Sequence, residues 1–283
     1  MFSVLASHIR ISLCFTVFLI FSATSAKSDG LTWVRAQLEN AVTYYSGSQA
    51  QAIKNTLKRL NKIHVPINGK VVLVNVPAGQ LYAFEGGIPI LGSRVIVGQP
   101  AHETPELQNK VTFVRALPTW TVPESIVRRK GWRVKISKNP DYFIDRQFYV
   151  LSNGEKLSPY DAADLSIRPD TFIQKPGPHN ALGLLKIGLN NHQAIYMHDT
   201  NQPELFNSTI WTASAGCIRV EKVRELSAWI LNMDRDKLDH IIKSDLRKTM
   251  SPPSPVTVIV GYWTAWPKPN GEIDFFKDIY KKD

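Results

Sequence analysis

Two cysteines occur in the 283 residues, and only Cys217 stands among small and polar neighbours, in the run Ser214-Ala215-Gly216-Cys217-Ile218-Arg219. A thiol attacks a carbonyl once a base has taken its proton, so the histidines decide what Cys217 can do. His198 is the best placed. It ends the strand-like run Ala194-Ile195-Tyr196-Met197 and opens a polar loop that closes at Cys217, nineteen positions later. His64, His102, His179 and His240 have no comparable route; His192 is the nearest rival, because in a strand an even offset keeps it on the same side as His198. Small residues before the thiol let backbone N–H groups turn towards a reacting oxygen, and the amides of Cys217 and Gly216 are the expected donors. The motif reads as leading into a helix, whose positive end would favour the thiolate.

Neighbouring residues have readings on both sides. Asp199 could accept from the second ring nitrogen of His198 through its carboxylate or its backbone carbonyl, or be a turn aspartate. Arg219 could fork onto a substrate carboxylate, or pair with Glu221 or Asp199. Tyr196 and Trp211 flank the loop and could wall a site or belong to the core. Ser214 and Asn180 complete the candidate substrate contacts. No metal-ligand spacing is present, and no cofactor is expected.

These residues need elements to hold them. From 31 to 62, Trp33, Val34, Leu38, Val42, Ile53, Leu57 and Leu60 recur at three- and four-residue steps around Ser46-Gly47-Ser48, which predicts two short helices. Short β-branched runs then follow at 71–76, 81–84, 88–91 and 94–97, separated by turn residues, as a β-meander would be. Residues 118–178 are rich in Pro, Lys, Arg, Asp and Tyr, show little period, and predict a lid or binding loop. Strand-like runs return at 184–189 and 256–266, with helical spacing at 223–231. The expected fold is mainly β with a few helices.

At the N-terminus, His8 and Arg10 precede an apolar run from Ile11 to Phe21 and a small-residue tail to Ala26. That run is shorter than the roughly twenty residues a membrane span needs, so residues 1–26 read as a signal peptide and the protein as periplasmic. Cys14 leaves with it. An exported chain with one remaining thiol carries an intermolecular bridge, a buried bystander or a reactive group. Formal net charge is +10, with the charges scattered and no interleaved aromatic and basic stripe. This balance suits an anionic wall or membrane surface and argues against a nucleic-acid partner.

Tyr196-Met197-His198-Asp199-Thr200 followed by Ser214-Ala215-Gly216-Cys217-Ile218-Arg219-Val220 resembles the signature of the L,D-transpeptidase catalytic domain. Leu73-Val74-Asn75-Val76-Pro77, Val95-Ile96-Val97-Gly98, Thr104-Pro105, Pro118-Thr119-Trp120, residues 176–183 and Thr264-Ala265-Trp266 are similar to its larger, YcbB-like branch, from about residue 55 onward. The family commonly has a histidine between the Ser and the Gly, where this chain has Ala215.

The resemblance implies a β-sandwich-like domain over 67–283, after a helical segment at 27–66, with the lid at 118–178. It also implies peptidoglycan stem peptides as partners, Cys217 as nucleophile attacking the third-residue carbonyl, and His198 as base. A lipoprotein could be a further acceptor, and a monomer is expected. Hydrolysis of the same bonds, a sortase-like or papain-like peptidase, and a silent wall-binding module are the competing readings.

Overall fold

The structure, a computed structural model, describes residues 30 to 283 except 165. The expected signal segment, with Cys14, lies outside the described residues.

Helices α1 (Thr32–Ala41) and α2 (Gly47–Leu60) each bury one apolar face, Val34, Leu38 and Ala41 on the first and Ile53 and Leu60 on the second. That face packs with Val71, Leu73, Ile259 and Trp263. β1 (Lys70–Asn75) is buried along its whole length. Val71 and Leu73 enter the cluster under the helices, whereas Val72 and Val74 enter the main core. A strand covered on both faces must be apolar at every position rather than at alternate ones, which is why 71–74 is an unbroken apolar run.

β2 (Gln80–Glu85), β3 (Ile88–Gly98) and β4 (Leu107–Ala116) continue the sheet. Next come β5 (Trp120–Thr121), α3 (Glu124–Arg129), α4 (Trp132–Lys138), α5 (Asp141–Ile144), β6 (Phe148–Ser152), β7 (Glu155–Leu157) and β8 (Thr171–Gln174). The chain then returns through β9 (Leu185–Leu189), β10 (Met197–His198), β11 (Thr212–Ser214), β12 (Ile218–Val220), α6 (Val223–Ile230) and α7 (Arg235–Lys243). It finishes with β13 (Lys248–Met250), β14 (Val256–Gly261), β15 (Ala265–Pro267) and β16 (Ile273–Phe275).

The main sheet runs β11-β3-β12-β10-β9-β4-β14-β1-β2, and β2 pairs back onto β3. Two strands turn the corners. Residues 88–94 of β3 pair with β2 while 95–96 pair with β12, and residues 107–110 of β4 pair with β14 while 111–116 pair with β9. The two halves face each other across the main core, giving the mainly β, sandwich-like domain that the sequence predicts.

The region 118–178 differs from the long irregular segment expected. It carries a sheet β5-β8-β6-β7, three short helices and a core of its own, including Trp132, Phe143, Phe148 and Phe172. The Trp132 ring meets the other three at 5.2–5.6 Å, edge to face. A few large aromatic side chains, one each from α4, α5, β6 and β8, supply much of the buried area without repeating at any fixed interval. Periodicity therefore had nothing to detect.

Candidate active site

β10 runs parallel to β12, with Met197 opposite Ile218 and His198 opposite Arg219. The Ile218 N–H donates to the Tyr196 carbonyl at 3.0 Å, so Cys217, one step before β12, lies alongside Tyr196. No helix begins at the thiol: a strand follows it, and α6 starts only at Val223. The expected helix-dipole contribution to the thiolate is therefore absent. Likewise the predicted strand at 194–197 shrinks to two residues, and His192 sits exposed in a turn and is no rival base.

The turn that presents Cys217 is tied by short hydrogen bonds. Ser214 Oγ donates to the Cys217 carbonyl at 2.5 Å and accepts from the Gly216 N–H at 3.1 Å. Gly216 has φ +113°, a conformation that side chains disfavour. Its carbonyl accepts from Thr104 Oγ1 at 2.8 Å, and that hydroxyl accepts from the Gly98 N–H at 2.8 Å. Any Cβ on Gly98 would lie 2.0 Å from the His102 carbonyl oxygen, so this approach requires glycine. Ser214 thus braces the turn at the cavity's edge, and the Gly216 amide is spent on it. Among the described residues the Cys217 N–H has no recorded partner and stands as the available oxyanion donor.

Cys217 Sγ points its proton at the Ala194 carbonyl, 3.7 Å away. Ala194 holds φ +55°, and Asn191 clamps the next residue through both ends of its amide, at 2.7 and 2.9 Å to Ile195 O and N. Burial pushes the thiol up, opposed by hydrogen bonding from the Tyr196 backbone and phenol and by the charge of Lys186. At rest the sulfur is protonated.

His198 is buried, and its Nδ1 lies 2.5 Å from the Asp199 carbonyl oxygen. A carbonyl can only accept, so Nδ1 carries the hydrogen and Nε2 is the free acceptor. Burial, with the nearby charge of Arg219 and Lys186, depresses the imidazole to about 3, against a smaller rise from the Asp199 carbonyl. It is neutral at pH 7. The Asp199 carboxylate does not touch the ring: it accepts from the N–H groups of Leu184 at 2.9 Å and Thr200 at 2.8 Å. Asp199 orients the His198 ring through its backbone alone.

Arg219 pairs with neither Glu221 nor Asp199. Glu221 is held by Arg94, and the Arg219 Nη1 reaches only Gln202 Oε1 at 3.5 Å. Its Nε is buried with no partner among the described residues. Asn180 is fully buried and turned inward: its amide donates to the carbonyls of Pro118, Gln174 and Lys175 at 3.0, 3.3 and 2.8 Å and accepts from the Leu182 N–H at 2.8 Å. It fastens both ends of the insert instead of contacting substrate. Trp211 donates to the Val76 carbonyl at 3.2 Å and covers Gly79, away from the thiol. Tyr196, His198, Cys217 and Arg219 line an open cavity of about 370 Å³, and Trp120, Pro123, Ile126 and Arg129 of the insert form its facing wall.

Residues 69–259 match the model of the L,D-transpeptidase catalytic domain, YkuD. The chain belongs to that family. It is 30% identical over 241 residues to a Haemophilus influenzae protein provisionally named an L,D-transpeptidase; the match covers 82% of this chain and 48% of the relative, so this chain spans about half of that protein's length. Solved structures with related folds include L,D-transpeptidases from Mycobacterium smegmatis (14% identity, 68% of this chain and 58% of that one, TM-score 0.30) and Enterococcus faecium (10%, 70% and 52%, TM-score 0.33). Membership of the family rests on the family model and not on these low scores.

Lys186 and Asn191 stand outside every motif that carries the resemblance, and Thr104, which lies within one, gains its role only from the bonds to Gly98 and Gly216. Lys186 is opposite His198 on β9, and its Nζ lies 3.8 Å from the centre of the Tyr196 ring. A lone lysine in the apolar run 184–189 was the available signal.

Proposed function

We propose that the protein is an exported, cysteine-dependent peptidoglycan L,D-transpeptidase acting in the periplasm. One observation carries the reading: a single cavity holds Cys217, the neutral His198 with Nε2 free, and Arg219 with its Nε unpaired. In this scheme His198 Nε2 takes the thiol proton as sulfur attacks the third-residue carbonyl of a tetrapeptide stem. The C–S bond forms, the oxyanion meets the Cys217 N–H, and the C–N bond to the terminal D-alanine breaks. An imidazolium as acidic as this one gives its proton readily to the departing amine. A second stem's amine then attacks the thioester, its proton passes through His198 to the sulfur, and a 3-3 cross-link results. Arg219 holds a substrate carboxylate in a charge-assisted pair.

Incubation with disaccharide-tetrapeptide and mass analysis tests the reaction. The expected products are free D-alanine and a cross-linked dimer. A tripeptide stem alone would assign hydrolysis, coupling only to an added lipoprotein lysine would assign attachment, and unchanged substrate would leave a wall-binding module. Export predicts that the mature protein lacks about 25 residues, as usual for a signal of this kind, by intact mass.

A further inference from the structure

We propose that Lys186 is a positioning residue acting through Tyr196: its ammonium sits against the ring, sets the phenol beside Cys217 Sγ, and supplies the positive charge that steadies the thiolate. The proposal rests on the reading of Cys217 as the nucleophile.

The expected helix is not there to stabilise the thiolate, and the thiol at rest gives its hydrogen bond to the Ala194 carbonyl. A compensating charge has to come from elsewhere. His198 cannot supply it before the proton moves, because it is uncharged at neutral pH. β10 offers neutral His198, and the segment before it offers the Tyr196 phenol and amide. β12 offers Arg219, whose Nη1 reaches Gln202 Oε1. From the insert come Arg129 and Lys130 on the outer wall. The Asp199 carboxylate is consumed by two backbone amides. On β9, Lys186 stands across from both His198 and Arg115 and has no recorded carboxylate partner among the described residues.

Its Nζ rests 3.8 Å from the Tyr196 ring centre, a cation–π contact at close range. A ring carrying a cation on one face is a better O–H donor at its edge, and Tyr196 lines the same cavity as Cys217, with its carbonyl held by the Ile218 N–H at 3.0 Å. Burial pushes Lys186 down, and a charged Cys217 draws it back up. Such coupling is reciprocal, so the ammonium favours the thiolate by as much as the thiolate favours the ammonium.

The test is alkylation of Cys217 by iodoacetamide across pH, read as mass gain on the peptide containing Cys217, in the parent protein, Lys186→Met, Lys186→Arg and Tyr196→Phe. Lys186→Met should move the midpoint of the profile up by about one unit, a tenfold loss of thiolate below the midpoint, as expected on removing one nearby charge. Lys186→Arg should restore the parent profile, and Tyr196→Phe should displace it upward as Lys186→Met does. An unmoved midpoint in folded Lys186→Met overturns the proposal. If that variant loses its thermal transition, Tyr196→Phe decides, and an unmoved midpoint there overturns it equally. Alkylation needs no wall substrate. A shift in midpoint without cross-linked product would therefore leave this role standing while the proposed reaction fell.

Discussion

The turn that presents Cys217 and the insert border the same cavity, but opposite means build them. The turn at 214–217 is held by directional bonds from Ser214 and Thr104, and its glycine takes a conformation that few residues share. The insert is held by aromatic packing around Trp132 and fastened at its root by Asn180. Hydrogen bonds fix a reacting atom to a fraction of an ångström, whereas a packed cluster fixes a wall and tolerates small shifts. The division suits the proposed reaction, in which the thiol is held in place while access to it is shaped separately.

The sharpest way to break this comparison is Cys217→Ala. Acylation by a tetrapeptide donor, followed by intact mass, should disappear entirely while the thermal transition stays close to that of the parent. Residual acylation would place the chemistry outside the turn. His198→Ala should slow acylation by roughly 10²- to 10⁴-fold and move its pH dependence upward, because the thiol must then ionise unaided. Stopped-flow acylation across pH reads both effects.

The insert should respond in a different currency. Trp132→Ala removes the centre of its core and should cost about 3–5 kcal/mol of local stability. Limited proteolysis should cut first within 118–178, and acyl transfer should fall, while Cys217 alkylation stays near the parent rate. Equal loss of alkylation would show that the insert supports the turn itself.

A smaller effect concerns acid. Because His198 is depressed to about 3 in the folded protein, whereas an unfolded histidine titrates near 6.5, the unfolded chain binds more protons between those values. The contribution is present in full above about 6.5 and is lost as pH falls towards 3. His198→Gln should flatten the stability curve in that window, most cleanly above pH 4.5, where carboxylates held low by arginines, such as Glu221, contribute little. Urea midpoints from pH 7 to 4.5 measure it. Smallest of all, Thr104→Val keeps the shape but drops the bonds to Gly216 and Gly98, costing about 1–3 kcal/mol. Thermal melting reads the cost, and a modest fall in acylation rate should accompany it.

Much of the site was legible because local chemistry wrote it. One thiol in a small-residue turn and one histidine at a strand end could be found from residue types alone, and so could β1, whose two-sided burial demands continuous apolar residues. The motif resemblance supplied the reaction class. Three things depended on which groups the fold brings together. Asn180 was read as a substrate contact, but Pro118 is 62 positions away and only the folded insert brings its carbonyl to the amide. Gly216 was read as an oxyanion donor, yet its amide was already bound by Ser214 once the turn closed. Lys186 was passed over because its meaning arises from the pairing of β9 with β10, which no local pattern records.

Residue types alone fixed which atoms are able to react, and two-sided burial made strands such as β1 readable from their apolar runs. Only the tertiary structure decided which polar groups remained free to act. A hydrogen-bonding group is spent or available according to its neighbours in space, and Ser214, Asp199 and Asn180 are spent while Arg219 Nε has no recorded partner among the described residues.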